Sequence, residues 1–141
     1  AAFKERTDIL VDQFNQIVVL PAKDGQSALM ADGALSLGEN IADQGGLRVS
    51  YTALQNTFKE SGEPEPVDGF TAAQRFYLSY ATIWGQNIRD EEAARLTKTD
   101  VHSLGRNRVN ATLRNVDTFY QAFDITDGEM FLPEEKRVVI W

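Results

Sequence analysis

Apolar residues recur at helical spacing along most of this chain. Across residues 2–15, Phe3, Ile9, Leu10 and Phe14 stand among Lys4, Glu5, Arg6, Asp8 and Asp12, which places one apolar stripe on an amphipathic helix. No Ser, Thr, Asp or Asn precedes the pattern as a cap. The chain opens on Ala1-Ala2-Phe3, as though entering from the middle of a larger structure. Ile17-Val18-Val19-Leu20 ends at Pro21 and reads as a short strand. The turn signal Lys23-Asp24-Gly25-Gln26 predicts a small hairpin returning through residues 27–30. Residues 35–59 form the longest predicted helix, with Leu47, Tyr51, Leu54 and Phe58 on one face. Ser61-Gly62-Glu63-Pro64 stops it.

Thr71 caps the next helix, and Gln74 three positions on completes a capping box. That helix continues through Phe76, Tyr77, Tyr80, Ile83 and Trp84; with Phe70 these aromatics read as core rather than pocket. Asp90-Glu91-Glu92 opens a short helix, residues 99–105 form a loop, and residues 107–123 are helical in two pieces. Val138-Val139-Ile140-Trp141 is an apolar, extended tail. The fold class is mainly α, with a small β-hairpin and a short extended C-terminal tail.

Composition narrows the possible chemistry. At 141 residues, 43% hydrophobic and 25% charged, the chain is a one-domain length with a real core. Fourteen basic against 21 acidic residues give a net charge of −7, the wrong sign for a nucleic-acid surface. The longest aliphatic run, Ile17 to Leu20, is far too short to span a membrane. There is no Cys and one His, His102. Disulfides, thiolate chemistry and any two-histidine metal site built from this chain alone are excluded. Neither a Gly-rich phosphate loop nor a Gly-x-Ser-x-Gly elbow is present.

Two stretches remain. In Gly38-Glu39-Asn40-Ile41-Ala42-Asp43-Gln44-Gly45-Gly46-Leu47, Glu39 and Asp43 share a helix face, where like charges oppose each other unless a cation or donor lies between them. Gly45-Gly46 costs helix stability and is kept mainly where another group approaches closely. The stretch equally fits a solvated acidic face with a loose kink. In the second, Lys98 to Arg108, His102, Arg106 and Arg108 fall within seven positions. They make a positive patch suited to an oxyanion or a carboxylate, or surface charge balancing the acidic excess. Asn110-Ala111-Thr112 matches the glycosylation triplet, in a helical setting.

Taken together, these stretches resemble the C-terminal part of the neprilysin and endothelin-converting-enzyme family of zinc endopeptidases. Gly38 to Leu47 is similar to the family's second zinc motif. Lys98-Thr99-Asp100-Val101-His102-Ser103 with Arg108-Val109 is similar to its downstream substrate motif, and Phe119 to Phe123 with the final Trp141 to its C-terminal end. The resemblance implies the C-terminal portion of a zincin-type catalytic domain, with residues 1–141 lacking the upstream His-Glu-x-x-His helix. It implies Glu39 as a zinc ligand, and Asp43 as acceptor from a zinc-bound histidine. His102 would donate to the oxyanion and Arg108 would hold a substrate carbonyl or carboxylate. Ile83 and Trp84 would wall the apolar pocket for the residue after the scissile bond, while Asn40 would only position. Zinc is then the cofactor of the intact parent enzyme, with none expected on this chain alone, which would be inert. Implied partners are peptide substrates and the missing N-terminal part, with self-association through an exposed apolar face; nucleic acid and a membrane segment are not expected. The absence of cysteine resembles bacterial members, and the family resemblance favours a periplasmic or extracellular setting. The alternative is a stand-alone helical interaction module; a third option is an amidase-like or phosphate-binding domain using His102 and Arg108 alone.

Overall fold

The computed structural model describes residues 2–140, so the expectations resting on Ala1 and Trp141 lie outside the described residues. Helix α1 (Ala2–Asn15) leads into strands β1 (Val18–Leu20) and β2 (Leu29–Met30), an antiparallel hairpin with an irregular register. Five helices follow: α2 (Leu37–Ser61), α3 (Ala72–Ile83), α4 (Asp90–Thr99), α5 (Gly105–Leu113) and α6 (Asp117–Phe123). A 3-10 turn at Glu134–Lys136 precedes the tail. Residues 137–140 join neither a helix nor a strand, and Arg137 is extended.

The capping box forms as its spacing predicts. Gln74 donates its backbone N–H to Thr71 Oγ1 at 3.2 Å, and Thr71 N–H donates to Gln74 Oε1 at 3.0 Å. The Gln74 amide also donates to the Ala122 carbonyl at 2.9 Å, so one side chain both starts α3 and fastens it to α6. Helix α2 ends at Gly62, whose positive φ of 80° suits glycine. Helix α2 runs through Gly45-Gly46 without interruption. At Gly46 no close approach is seen, since a Cβ there would meet nothing within 4 Å. Close approach occurs instead at Gly33, where a Cβ would sit 2.3 Å from the Val11 carbonyl oxygen of α1.

Two apolar clusters hold the helices. The first joins Leu47 of α2 to Tyr77 of α3, Leu113 of α5 and Phe119 and Tyr120 of α6. Tyr77 is its centre, 2% exposed, with Phe76 and Phe119 edge-on and Tyr51 stacked. Phe70, by contrast, is exposed. The second cluster packs Leu10 and Phe14 of α1 on Ala111 and the tail residue Val138. Asn115, in the break between α5 and α6, donates to Gln13 Oε1 and accepts from Val138 N–H, both within 2.8 Å. The break and the tail are thereby fixed by one buried amide, because a lone polar side chain in an interior must find partners. Thr112 of the glycosylation triplet is wholly buried in α5.

Burial pushes the Tyr77 phenol up to about 12, outweighing the lowering by its hydrogen bond to Thr118. Folding therefore favours the neutral phenol: the contribution is complete below the unfolded value near 10 and is lost as pH rises through about 12. Urea denaturation of the chain should show stability falling between those pH values. Tyr77→Phe should lower stability by about 1 kcal/mol near neutrality and make the alkaline fall shallower.

Candidate active site

The first turns of α2 carry Glu39 and, one turn on, Asp43, as their spacing predicts. Glu39 lies in the first turn, where a carboxylate is favoured by the helix dipole. Arg108 of α5 makes a two-pronged bond to Asp43, with Nε to Oδ2 at 2.8 Å and Nη2 to Oδ1 at 2.7 Å. The two side chains are only 13% and 10% exposed. The guanidinium carbon stands 3.7 Å from the Trp84 ring centroid at the end of α3. Gly105 permits this packing, since a Cβ there would come within 2.5 Å of the Trp84 carbonyl oxygen. Tyr80 adds a bond from its hydroxyl to the Arg108 carbonyl at 3.0 Å.

The hydrogen bonds to Asp43 hold the Arg108 guanidinium above its usual value, against a desolvation that lowers it. Tyr80 is raised, first by burial and then by the Asp43 charge. The opposition between Glu39 and Asp43 is relieved by Arg108, which pairs with Asp43, while His102 Nε2 stands beside Glu39.

His102 lies in the turn between α4 and α5, and its side chain is 46% exposed. Asp100 Oδ1 accepts both the His102 backbone N–H at 2.9 Å and lies 2.8 Å from ring Nδ1. These bonds, the backbone one foremost, hold the Asp100 carboxyl below its usual value. The opposite ring nitrogen, Nε2, stands 3.2 Å from Glu39 Oε2. Ser103 donates from its hydroxyl to Asn40 Oδ1 at 2.8 Å, pinning the same turn to α2.

Glu39, Asp43, His102 and Arg108 are therefore brought together, and Trp84 joins them through Arg108. Ile83 is 69% exposed. It borders a groove of about 550 Å³ between α2 and α3, with Asp43, Gly46, Leu47 and Phe76. Trp84 does not line that groove; its ring lies against the guanidinium. The positive patch expected of three basic residues is divided, because Arg106 lines a separate recess with Val18 and Asn110. Asp100, Ser103 and Tyr80 were not singled out by sequence reasoning. The Asp-x-His spacing of Asp100 and His102 was the available signal, since Asp side chains accept from the backbone two residues on.

No group of three or more His, Cys, Asp or Glu is assembled for a metal ion among the described residues. Glu39 nonetheless fits one ligand position: a hard carboxylate, partly exposed, with an imidazole beside it and its helical neighbour Asp43 already neutralised.

The family model described as peptidase family M13 matches residues 1–139. Human neprilysin is 37% identical over 136 residues, covering 95% of this chain and 18% of neprilysin. Endothelin-converting enzyme 1 of Cavia porcellus is 36% identical over 137 residues, covering 96% of this chain and 17% of the enzyme. Among solved structures, the Mycobacterium tuberculosis zinc metalloprotease Zmp1, in complex with an inhibitor, superposes with a TM-score of 0.89. It is 38% identical and matches 99% of this chain and 21% of its own. PepO from Lactobacillus rhamnosis superposes at 0.76 with 28% identity. This chain spans about a fifth of the length of these relatives. The helical architecture matches theirs, and with the family model reaching from residue 1 to residue 139 the chain belongs to peptidase family M13.

Proposed function

We propose that this chain supplies part of the active site of a zinc metalloendopeptidase that cleaves peptides. One observation carries the reading: Glu39 and Asp43 on α2 meet, across 65 residues of sequence, an arginine and a histidine that separately engage them. Glu39 would be the ligand this chain offers to zinc, with the other ligands and the general base outside it. Zinc, when bound, polarises the scissile carbonyl and activates water. Asp43 would accept from a zinc-binding histidine while remaining paired with Arg108, since each carboxylate oxygen keeps a second lone pair. Arg108 commits Nε and one Nη2 hydrogen to Asp43, leaving Nη1 to hold a substrate carbonyl or terminal carboxylate.

Asp100 beside Nδ1 would orient the His102 ring so that Nε2 faces the developing oxyanion, a role that requires a proton on Nε2 as well as on Nδ1. Ile83 would wall the apolar pocket for the residue after the scissile bond, with Trp84 supporting it by holding Arg108 in place. Alone, the 141-residue chain would hold no stoichiometric zinc and cleave nothing. Family membership supports a periplasmic or extracellular setting for the parent protein. None of the described helices is long and apolar enough to cross a membrane.

In the full-length protein, Glu39→Gln should abolish stoichiometric zinc and peptide cleavage together. His102→Ala should keep the zinc and lose roughly a hundredfold or more in kcat. One zinc per chain with full activity in Glu39→Gln would contradict the assignment. A second prediction concerns the buried pair. Arg108→Met should cost about 3–5 kcal/mol of stability in urea denaturation, because Asp43 is left buried without a partner. Adding Asp43→Leu should restore most of that stability and none of the activity.

A further inference from the structure

We propose that Asn40 is a positioning residue that sets the place of His102, acting through Ser103. This inference rests on the reading of His102 as the group that serves the oxyanion. Asn40 directly follows Glu39 in α2 and is 1% exposed. Consecutive helical residues diverge by about 100°, so Asn40 enters the interior while Glu39 faces His102. A buried amide left without partners costs about 1–3 kcal/mol, and the Asn40 side chain is engaged at both ends. Its Oδ1 accepts from Ser103 Oγ at 2.8 Å, and its Nδ2 donates to Ser36 Oγ at 3.1 Å. The Ser36 hydroxyl spends its own proton on the Asp32 carbonyl at 2.7 Å.

The polarity of this chain of bonds fixes the amide. Because the Ser36 proton is committed to Asp32, Ser36 presents a lone pair to position 40, and only the NH2 group satisfies it. Oδ1 must then face Ser103. Carboxylate at this position would set acceptor against acceptor at Ser36, and an apolar isostere would leave the Ser103 hydroxyl without this acceptor.

The other flank of His102 is held differently. Asp100 accepts from the His102 backbone and bonds its ring, but Asp100 belongs to the same turn. It orients the imidazole relative to the turn and does nothing to place the turn against α2. Two side-chain contacts do that: His102 Nε2 to Glu39 and Ser103 to Asn40. Any ligand entering between Glu39 and His102 displaces the first, whereas the second, part-buried and anchored on the buried Asn40, persists. The spacing between the oxyanion donor and the zinc-ligand helix is therefore set by Asn40. A displacement of about 1 Å at such a donor is enough to cost up to a hundredfold in rate.

The test uses the full-length protein. Ser103→Ala and Asn40→Ala should each lower kcat about ten- to hundredfold with KM and zinc content little changed, and Ser103→Thr, which keeps the hydroxyl, should recover most of the loss. In a His102→Ala background, neither substitution should lower kcat further. Hydrogen–deuterium exchange of the 99–104 segment, measured without substrate, should accelerate in both alanine variants and not in Ser103→Thr. An equal kcat loss in the His102→Ala background would overturn the proposal, as would unchanged exchange in the segment. Should His102→Ala itself leave activity intact, the reading of the active site fails. The exchange measurement then decides alone: acceleration in both variants upholds Asn40 as the residue that places the turn, and no acceleration overturns it.

Discussion

The paired bond between Asp43 and Arg108 is the constraint on which the rest of the site depends. Both groups are almost fully removed from water, and burying two charges is favourable only with near-ideal geometry and full hydrogen bonding. Three helices supply that geometry. Helix α2 brings the carboxylate, α5 the guanidinium, and the end of α3 the indole against which it lies flat. Gly105 makes the approach of α5 to α3 possible, where any side chain would strike the Trp84 carbonyl. Loosening any one of these elements leaves a buried ion without its partner, which is a far larger penalty than the loss of one surface contact.

With Asp43 neutralised, Glu39 is free for other work. It stands at the start of α2 beside a histidine whose far nitrogen is tied to Asp100. A carboxylate, an oriented imidazole and an arginine with unspent donors are thus gathered beside the start of α2. The apolar groove beside Ile83 adds room for a side chain. This division between a buried, rigid pair and a partly exposed, exchangeable one is how a site stays preorganised while its reacting groups remain accessible.

Much of the fold was legible because local physics dictates it. The α1 helix, the Thr71–Gln74 capping box and the two-piece character of α5 and α6 emerge as spacing implies, although only Leu10 and Phe14 of the predicted α1 stripe are buried while Phe3 and Ile9 are exposed. At Gly46 the glycine pattern was not enough: glycine advertises room but not whether anything fills it, and the space beside Gly46 is open. The like-charge pair Glu39 and Asp43 could be noticed but not resolved from spacing, because its partners lie about sixty residues further on. Motif resemblance gave the pair a metal and its histidine as partners, and the pairing of Asp43 with Arg108 emerges only in the fold. Trp84, which the motif resemblance places on a pocket wall beside Ile83, also carries the Arg108 guanidinium on its ring, a contact that spacing does not reveal. The resemblance gave Asn40 a positioning role, but its partners Ser36 and Ser103 were invisible, since polar residues of this kind acquire meaning only through burial and bond direction.

The most direct measurement is anomalous diffraction at the zinc edge from crystals of the full-length protein with a bound peptide-like inhibitor. The expected result is a zinc peak within about 2.2 Å of a Glu39 carboxylate oxygen, with Arg108 still paired to Asp43 and His102 Nε2 turned from Glu39 to the inhibitor. A zinc peak remote from Glu39, or an inhibitor bound without contact to His102 and Arg108, would contradict the assignment.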